Sequence, residues 1–175
     1  AMELLMRAHD SYPEQRTAEG VEGTLRAALT LGRSAQARAL VMDLQARTAT
    51  KEHAAERPIF EQAAVEYADF LYDRGDYAAA DETYALILPA AAALEGEESD
   101  GVKETTAQQW SAYQRANVAY AQGKLVETLP MYERIAAANS PYSADAKARV
   151  DVIRLELRRR GTPASRSRRP PRGGG

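Results

Sequence analysis

The sequence predicts an all-α protein in which antiparallel helix pairs repeat along the chain. Alanine, the strongest helix former, supplies about a fifth of the 175 residues, whereas phenylalanine occurs only twice. Apolar side chains recur at helical spacing, and glycines at 32, 75 and 123 interrupt them at corresponding places. The predicted helices cover residues 2–11, 16–31, 34–50, 57–74, 77–92, 103–122, 125–138 and 142–160.

Glycine and proline set most of the predicted helix boundaries. Gly32, Gly75 and Gly123 each follow a helical segment, where glycine readily adopts the left-handed conformation that ends a helix. Pro89 and Pro130 fall inside predicted helices, where a proline removes a backbone hydrogen bond and costs up to about 3 kcal/mol. Because Pro130 lies early in its helix, we expect it to disturb that helix less.

Two segments carry the same residue types at the same offsets. In the first, Ala68 precedes a turn glycine, a second alanine and a tyrosine, and in the second Ala116 does the same with threonine in place of the second alanine. The two sets are Ala68, Gly75, Ala80 and Tyr84, and Ala116, Gly123, Thr128 and Tyr132. A degenerate copy precedes them, with Leu25, Gly32, Ala37, Val41 and Leu44.

These residues resemble the tetratricopeptide repeat, a helix pair in which small residues let the two helices approach and an aromatic residue packs beside them. The resemblance implies a solenoid of about eight helices over residues 1–160. Because the glycines are 43 and 48 residues apart, against 34 in the standard repeat, the segments between repeats are lengthened. The implied units are clear repeats at 61–94 and 109–142, a degenerate repeat at 18–51 and a half repeat at 1–13.

The charge is unevenly distributed. Residues 157–175 carry seven arginines and no acid, which leaves 16 bases against 25 acids in the rest of the chain. From Gly161 onward the composition of Arg, Pro, Ser and Gly predicts a disordered basic tail over 161–175. Such a tail can fold back on the acidic body or contact an anionic partner.

Nothing in the sequence points to an enzyme, a cofactor or a metal site. The chain has no cysteine, and His9 and His53 lie in different predicted helices. Residues 96–103 lack the lysine–serine or lysine–threonine pair of a phosphate-binding loop, and they lack carboxylates where a calcium loop needs them. Pairs such as Asp69 and Asp73 are expected to form a solvated face or to meet a basic partner.

The resemblance also implies that the first helix of each pair lines a concave groove. The residues that match the groove positions of the family are predicted to bind a peptide with an apolar and a basic end. They are Gln62, Val65, Asp69, Tyr72 and Asp73 in one repeat, and Trp110, Tyr113, Asn117 and Tyr120 in the next. The basic residues of a carboxylate clamp are missing, which argues against an acidic C-terminal ligand.

We therefore predict a scaffold that binds another protein or a peptide, and a homo-oligomer is compatible with this. Nucleic-acid or anionic-surface binding through the tail is the alternative, and the acidic body argues against it.

No stretch of the sequence is long and apolar enough to predict a transmembrane helix. The Ser-Tyr-Pro and Ser-Pro-Tyr-Ser junctions at 11–13 and 140–143 resemble those of bacterial envelope-assembly repeat proteins. This favours a periplasmic setting, with a cytoplasmic regulator as the other possibility.

Overall fold

The computed structural model describes residues 3, 4, 7, 11, 17–88 and 104–161, and every regular element in these ranges is helical. A short 3₁₀ helix, Ala54–Glu56, precedes the third α-helix. The α-helices are α1 (Ala18–Thr30), α2 (Ser34–Thr48), α3 (Arg57–Asp73), α4 (Tyr77–Ala85), α5 (Thr106–Ala121), α6 (Leu125–Ala137) and α7 (Ser143–Gly161). The all-α prediction is thus confirmed.

Most predicted boundaries agree with these helices within a few residues, but the fifth prediction, 77–92, was too long. Helix α4 ends at Ala85, and the next amides, of Leu86 and Ile87, bond to carbonyls three residues back as in a tightening last turn. Pro89, three residues further, disfavours the helical conformation at the residue before it. Of the predicted helix at 2–11, only Glu3, Leu4, Arg7 and Ser11 are described, and all four are helical. The rest of the half repeat, residues 89–103 and residues 162–175 lie outside the described ranges.

Three turns share one backbone geometry. Gly32, Gly75 and Gly123 have φ angles of 69°, 77° and 73°, so the prediction of left-handed glycines is confirmed. At Gly75 the glycine amide bonds to the Tyr72 carbonyl at 2.9 Å, and the Asp76 amide bonds to the Leu71 carbonyl at 3.0 Å. The same two bonds recur around the other two glycines, which makes all three Schellman turns. Each turn reverses the chain, and a new helix begins two residues later.

Helices pack mainly on their neighbours in the sequence. Each helix contacts the next one, and α3 also contacts both α1 and α5. The small residues of the repeat pattern lie where paired helices meet, and Ala68, Ala80 and Ala116 are completely buried. Thr128 is also completely buried, and its hydroxyl donates to the Lys124 carbonyl at 2.7 Å, which explains why a threonine is accepted there. Pro130 lies inside α6, and the helix continues past it as expected.

A buried carboxylate joins three elements on either side of residues 89–103. Glu61 on α3 is only 4% exposed, and it accepts hydrogen bonds from Thr105 Oγ1 at 2.8 Å and from Arg57 Nε at 3.2 Å. The Arg57 guanidinium also reaches the Leu86 and Ile87 carbonyls just after α4. These contacts fix the start of α5 beside the start of α3, so the long connection does not disturb the packing of these helices.

Candidate functional site

Helices α3, α5 and α7 lie parallel and present one continuous face. The start of α5 contacts the start of α3 through Thr105 and Glu61, and Trp110 contacts Asp69 further along. Tyr113 and Tyr120 of α5 likewise contact Asp145 and then Glu156 of α7. We call this surface the aromatic face, defined by Asp69, Tyr72, Asp73, Trp110, Tyr113, Asn117, Tyr120, Tyr142, Asp145 and Arg149.

Asp69 is the acceptor that links the two clear repeats. Its carboxylate accepts a hydrogen bond from the Tyr84 hydroxyl of the same repeat and another from Trp110 Nε1 of the next one, at 3.0 Å. Tyr84 is fully buried, and this burial together with its bond to the Asp69 anion raises the pKa of its phenol. The phenol is therefore a permanent donor, and Asp69 fixes the orientation of the Trp110 indole.

Asn117 has the corresponding place in the second repeat. It accepts a hydrogen bond from the buried Tyr132 hydroxyl at 2.5 Å and donates its amide to Gln114 Oε1 at 2.7 Å. Burial raises the pKa of Tyr132, and the positive charge of Arg149 opposes part of that rise. The same tyrosine thus bonds to a carboxylate in one repeat and to a neutral amide in the other.

Four aromatic rings form a contiguous cluster at the centre of the face. Tyr113 stacks on Tyr142 with ring centroids 5.0 Å apart, and Trp110 contacts the same Tyr142 ring at 5.4 Å. Tyr113 also meets the edge of Tyr132 at 6.1 Å. Trp110, Tyr113 and Tyr142 are each half-buried, so part of every ring remains open to solvent. Rings held in this way offer contact area to a ligand at little cost in conformational entropy.

An arginine of α7 lies over the far end of the face. The Arg149 guanidinium is 5.8 Å from the centroid of the Tyr120 ring, and its Nε is 3.6 Å from Asp145 Oδ2. Tyr113 donates its hydroxyl to the same carboxylate, and partial burial followed by this bond raises the pKa of Tyr113. Arg149 is therefore held by an aromatic ring and a carboxylate of the face itself.

A second arginine is bound where α1 meets α3. The Arg26 guanidinium donates to both oxygens of Glu66 at 3.0 and 2.8 Å, and to Glu22 at 2.8 Å. Partial burial opposes ionisation of Glu66, but hydrogen bonds from Arg26 and Gln62 outweigh it and lower the pKa of Glu66. Gln62 is therefore engaged with Glu66 at 3.2 Å although its residue is exposed.

The predicted groove residues are placed differently from one another. The aromatic face contains all four residues predicted in the second repeat, and it contains Asp69, Tyr72 and Asp73 of the first. Gln62 lies beside Glu66 instead. Val65 is only 9% exposed and packs in the core, so it offers a ligand little surface. Sequence reasoning missed Tyr142, Asp145 and Arg149, because α7 lacks the glycine turn that placed the other helices in register.

The described residues hold no group of three His, Cys, Asp or Glu side chains that could bind a metal ion. A cavity of about 510 Å³ lies on the other side of α3, between α2 and α4. It is lined by Tyr67 and Leu71, which lie about half a helical turn away from Asp69, and by Arg38, Met42, Glu82 and Leu86. The aromatic face and this cavity are therefore separate surfaces.

No helix in the described ranges has the length and apolar character needed to cross a membrane. Comparisons with protein-family models, with curated proteins and with solved structures gave no match to this chain. The chemistry of the aromatic face must therefore be interpreted from its own geometry: it supplies rings, carboxylates and fixed donors for binding.

Proposed function

We propose that this chain is a tetratricopeptide-type scaffold that binds an extended segment of another protein on the aromatic face. The observation that carries the proposal is the half-exposed cluster of Trp110, Tyr113 and Tyr142, held in place by bonds to Asp69 and Asp145 and by ring stacking. Tryptophan and tyrosine are enriched in binding hot spots, and rings that are already fixed lose little entropy on binding. The parallel helices α3, α5 and α7 offer a surface long enough for an extended segment.

The repeat reading is supported by features that recur at the same offsets. The pattern in the sequence is followed by three glycine turns of the same geometry and by buried small residues at Ala68, Ala80 and Ala116. In two repeats it is also followed by a tyrosine that bonds to the preceding helix. Packing that involves mainly sequence neighbours is the contact pattern of a solenoid. Its setting, a bacterial envelope assembly or the cytoplasm, stays a prediction from the sequence.

Binding can be tested with defined peptides. Random twelve-residue peptides would be selected against the purified full chain, and the dissociation constants of the recovered peptides measured by fluorescence anisotropy. We expect Trp110→Ala/Tyr113→Ala to raise the dissociation constant by about tenfold or more, because central aromatic anchors contribute over about 1.4 kcal/mol.

The matched control is Met42→Ala, which shortens an exposed apolar side chain beside the cavity on the other side of α3. It should leave the dissociation constants unchanged, and circular dichroism should show all variants folded. If no peptide is recovered, or if the recovered peptides bind the double variant as tightly as the wild type, the proposed face is wrong.

A further inference from the structure

Two arginines are already bound by carboxylates on the helices that form the aromatic face or beside them. Arg149 lies over Tyr120 beside Asp145, and Arg26 is bound by Glu22 and Glu66 where α1 meets α3. In both cases a carboxylate from the helices of this face pairs with the guanidinium. The surface is therefore suited to arginine, whose planar group both pairs with carboxylates and packs on rings.

The aromatic face also has an acidic group without a direct partner, at the end of α3. Asp73, the last residue of α3, is exposed, and among the described residues it forms no hydrogen bond or ion pair. Its negative charge nevertheless acts on its neighbours, since it contributes to the raised pKa of Tyr72 and of Tyr84. The half-buried rings of Tyr72 and Tyr77 pack edge to face at 5.3 Å beside it.

We infer that the aromatic face binds an arginine-rich extended segment, and that the segment is the C-terminal end of this same chain. The assignment rests on the proposed function in using the same surface for binding. Residues 162–175 carry four arginines and no acid and follow three further arginines at the end of α7, whereas the chain before residue 157 has 25 acids against 16 bases. Charge complementarity of this size within one chain favours an intramolecular contact, because the effective concentration of a tethered ligand is high.

The geometry allows this contact. Helices α3, α5 and α7 are parallel, so their C-terminal ends, with Asp73, Tyr120 and Glu156, lie at one edge of the face, and α7 continues past Glu156 to Gly161. Packed helices are about 8–10 Å apart, which places α3 about 20 Å from α7. The fourteen residues after Gly161 span up to about 46 Å when extended, which exceeds that distance.

Three cations near this edge set limits on the contact. Arg149 lies over the Tyr120 ring beside Asp145, and its charge opposes the rise in the pKa of Tyr72. Arg74 follows Asp73, but its guanidinium lies over the Phe70 ring at 5.2 Å, and Lys124 lies exposed in the turn after α5. Arginines of the tail are therefore expected to approach from the side of Tyr72 and Asp73. A partner segment would then have to displace the tail, so the tail would lower the affinity of the face for other ligands.

The chain is well suited to a direct test, because it has one tryptophan, Trp110, and no cysteine. A cysteine introduced by Gly173→Cys in the full chain would carry a neutral coumarin that accepts energy from Trp110. The reference chain would in addition have its four tail arginines neutralised by Arg166→Gln, Arg168→Gln, Arg169→Gln and Arg172→Gln. We expect about twofold higher transfer in the wild-type background at about 0.01 M salt, and little difference at about 1 M salt, where the Debye length is about 3 Å.

Asp73→Asn should lower the transfer, whereas Glu127→Gln, which neutralises an exposed acid on α6, should leave it unchanged. Mixing with an excess of unlabelled protein should also leave it unchanged if the contact is within one chain. Equal transfer with and without the tail arginines, or a loss of transfer on mixing, would overturn the inference. Neither result depends on an outside peptide, so the proposed function is tested separately by the peptide selection, repeated on the arginine-neutralised chain.

Discussion

The two clear repeats contain the same buried tyrosine in two different electrical settings. Tyr84 donates to the carboxylate of Asp69, which also accepts from Trp110, whereas Tyr132 donates to the neutral amide of Asn117 near the positive charge of Arg149. The backbone turns that precede the two tyrosines are alike, so the difference lies in the hydrogen-bond acceptor and in the charges nearby. The comparison shows how one repeat pattern gives two parts of the aromatic face a different charge: the part at α3 is acidic, and the part at α7 carries a cation.

Removing the ring of either tyrosine should lower the free energy of unfolding more than removing its hydroxyl group or exchanging its acceptor. The loss should be similar in both repeats. Tyr84→Ala and Tyr132→Ala each delete a completely buried aromatic side chain, so each should lower the free energy of unfolding by about 3–5 kcal/mol. Urea denaturation followed by circular dichroism measures this. A loss below about 1 kcal/mol in either repeat would show that its ring is not part of the core.

Removing only the hydroxyl group should lower the free energy of unfolding by different amounts in the two repeats. Tyr84→Phe leaves the Asp69 carboxylate with one donor fewer, and hydrogen bonds to charged groups contribute about 1.5–3 kcal/mol. Tyr132→Phe removes a bond to a neutral amide, for which about 0.5–1.5 kcal/mol is expected. The two variants, compared by the same denaturation experiment, should therefore differ, and equal losses would contradict the contrast between the acceptors.

Both tyrosines should make the stability of the protein fall at high pH. The pKa of Tyr84 is raised by burial and by the Asp69 anion, so its contribution to stability is complete below the unfolded value of about 10 and is lost as the pH rises above it. At Tyr132 burial also raises the pKa, but Arg149 opposes the rise. Stability measured from pH 9 to pH 12 should therefore fall less steeply in Tyr84→Phe and in Tyr132→Phe than in the wild type. A variant whose stability falls as steeply as that of the wild type would show that its phenol titrates alike in the folded and the unfolded chain.

Exchanging the acceptors should have the smallest effect on stability. Asp69→Asn keeps an oxygen for Tyr84 and Trp110 but removes the charge, and we expect a loss of about 1 kcal/mol. The converse change, Asn117→Asp, places a carboxylate near Arg149 and sacrifices the amide bond to Gln114. The attraction between the new carboxylate and Arg149 and the loss of the bond to Gln114 oppose each other. The free energy of unfolding should therefore stay within about 0.5 kcal/mol of the wild-type value. Thermal unfolding at neutral pH measures both, and a larger loss in Asn117→Asp than in Asp69→Asn would reverse the comparison.

The fold could be predicted from the sequence because its signals are local. Gly32, Gly75 and Gly123 mark the turns, and Ala68, Ala80 and Ala116 mark the close approaches of helices, so a regular pattern is enough to find them. The end of α4 was predicted too late because alanine-rich sequence after Tyr84 favours a helix, while the turn that begins at Leu86 depends on Pro89 and on contacts with Arg57.

The candidate site could be predicted only in part. Trp110, Tyr113 and Asn117 follow from the repeat register, but their hydrogen-bond partners on other helices do not, because these contacts span 15 to 41 residues of sequence. Val65 was expected to face a ligand, yet it packs in the core, since a residue at a helix–helix contact can face either way. The residues of α7 were missed because that helix carries no repeat pattern of its own.

The most direct test of the aromatic face uses the single tryptophan as a reporter. In a ¹H–¹⁵N correlation spectrum the Trp110 Nε1–H gives one indole resonance, and this group donates to Asp69 at the centre of the proposed surface. On titration with a selected peptide we predict that the indole resonance and the amides of Tyr113 and Asp73 shift together, while those of Met42 and Glu82 beside the opposite cavity do not. An unchanged indole resonance, with shifts confined to Met42 and Glu82, would contradict the account.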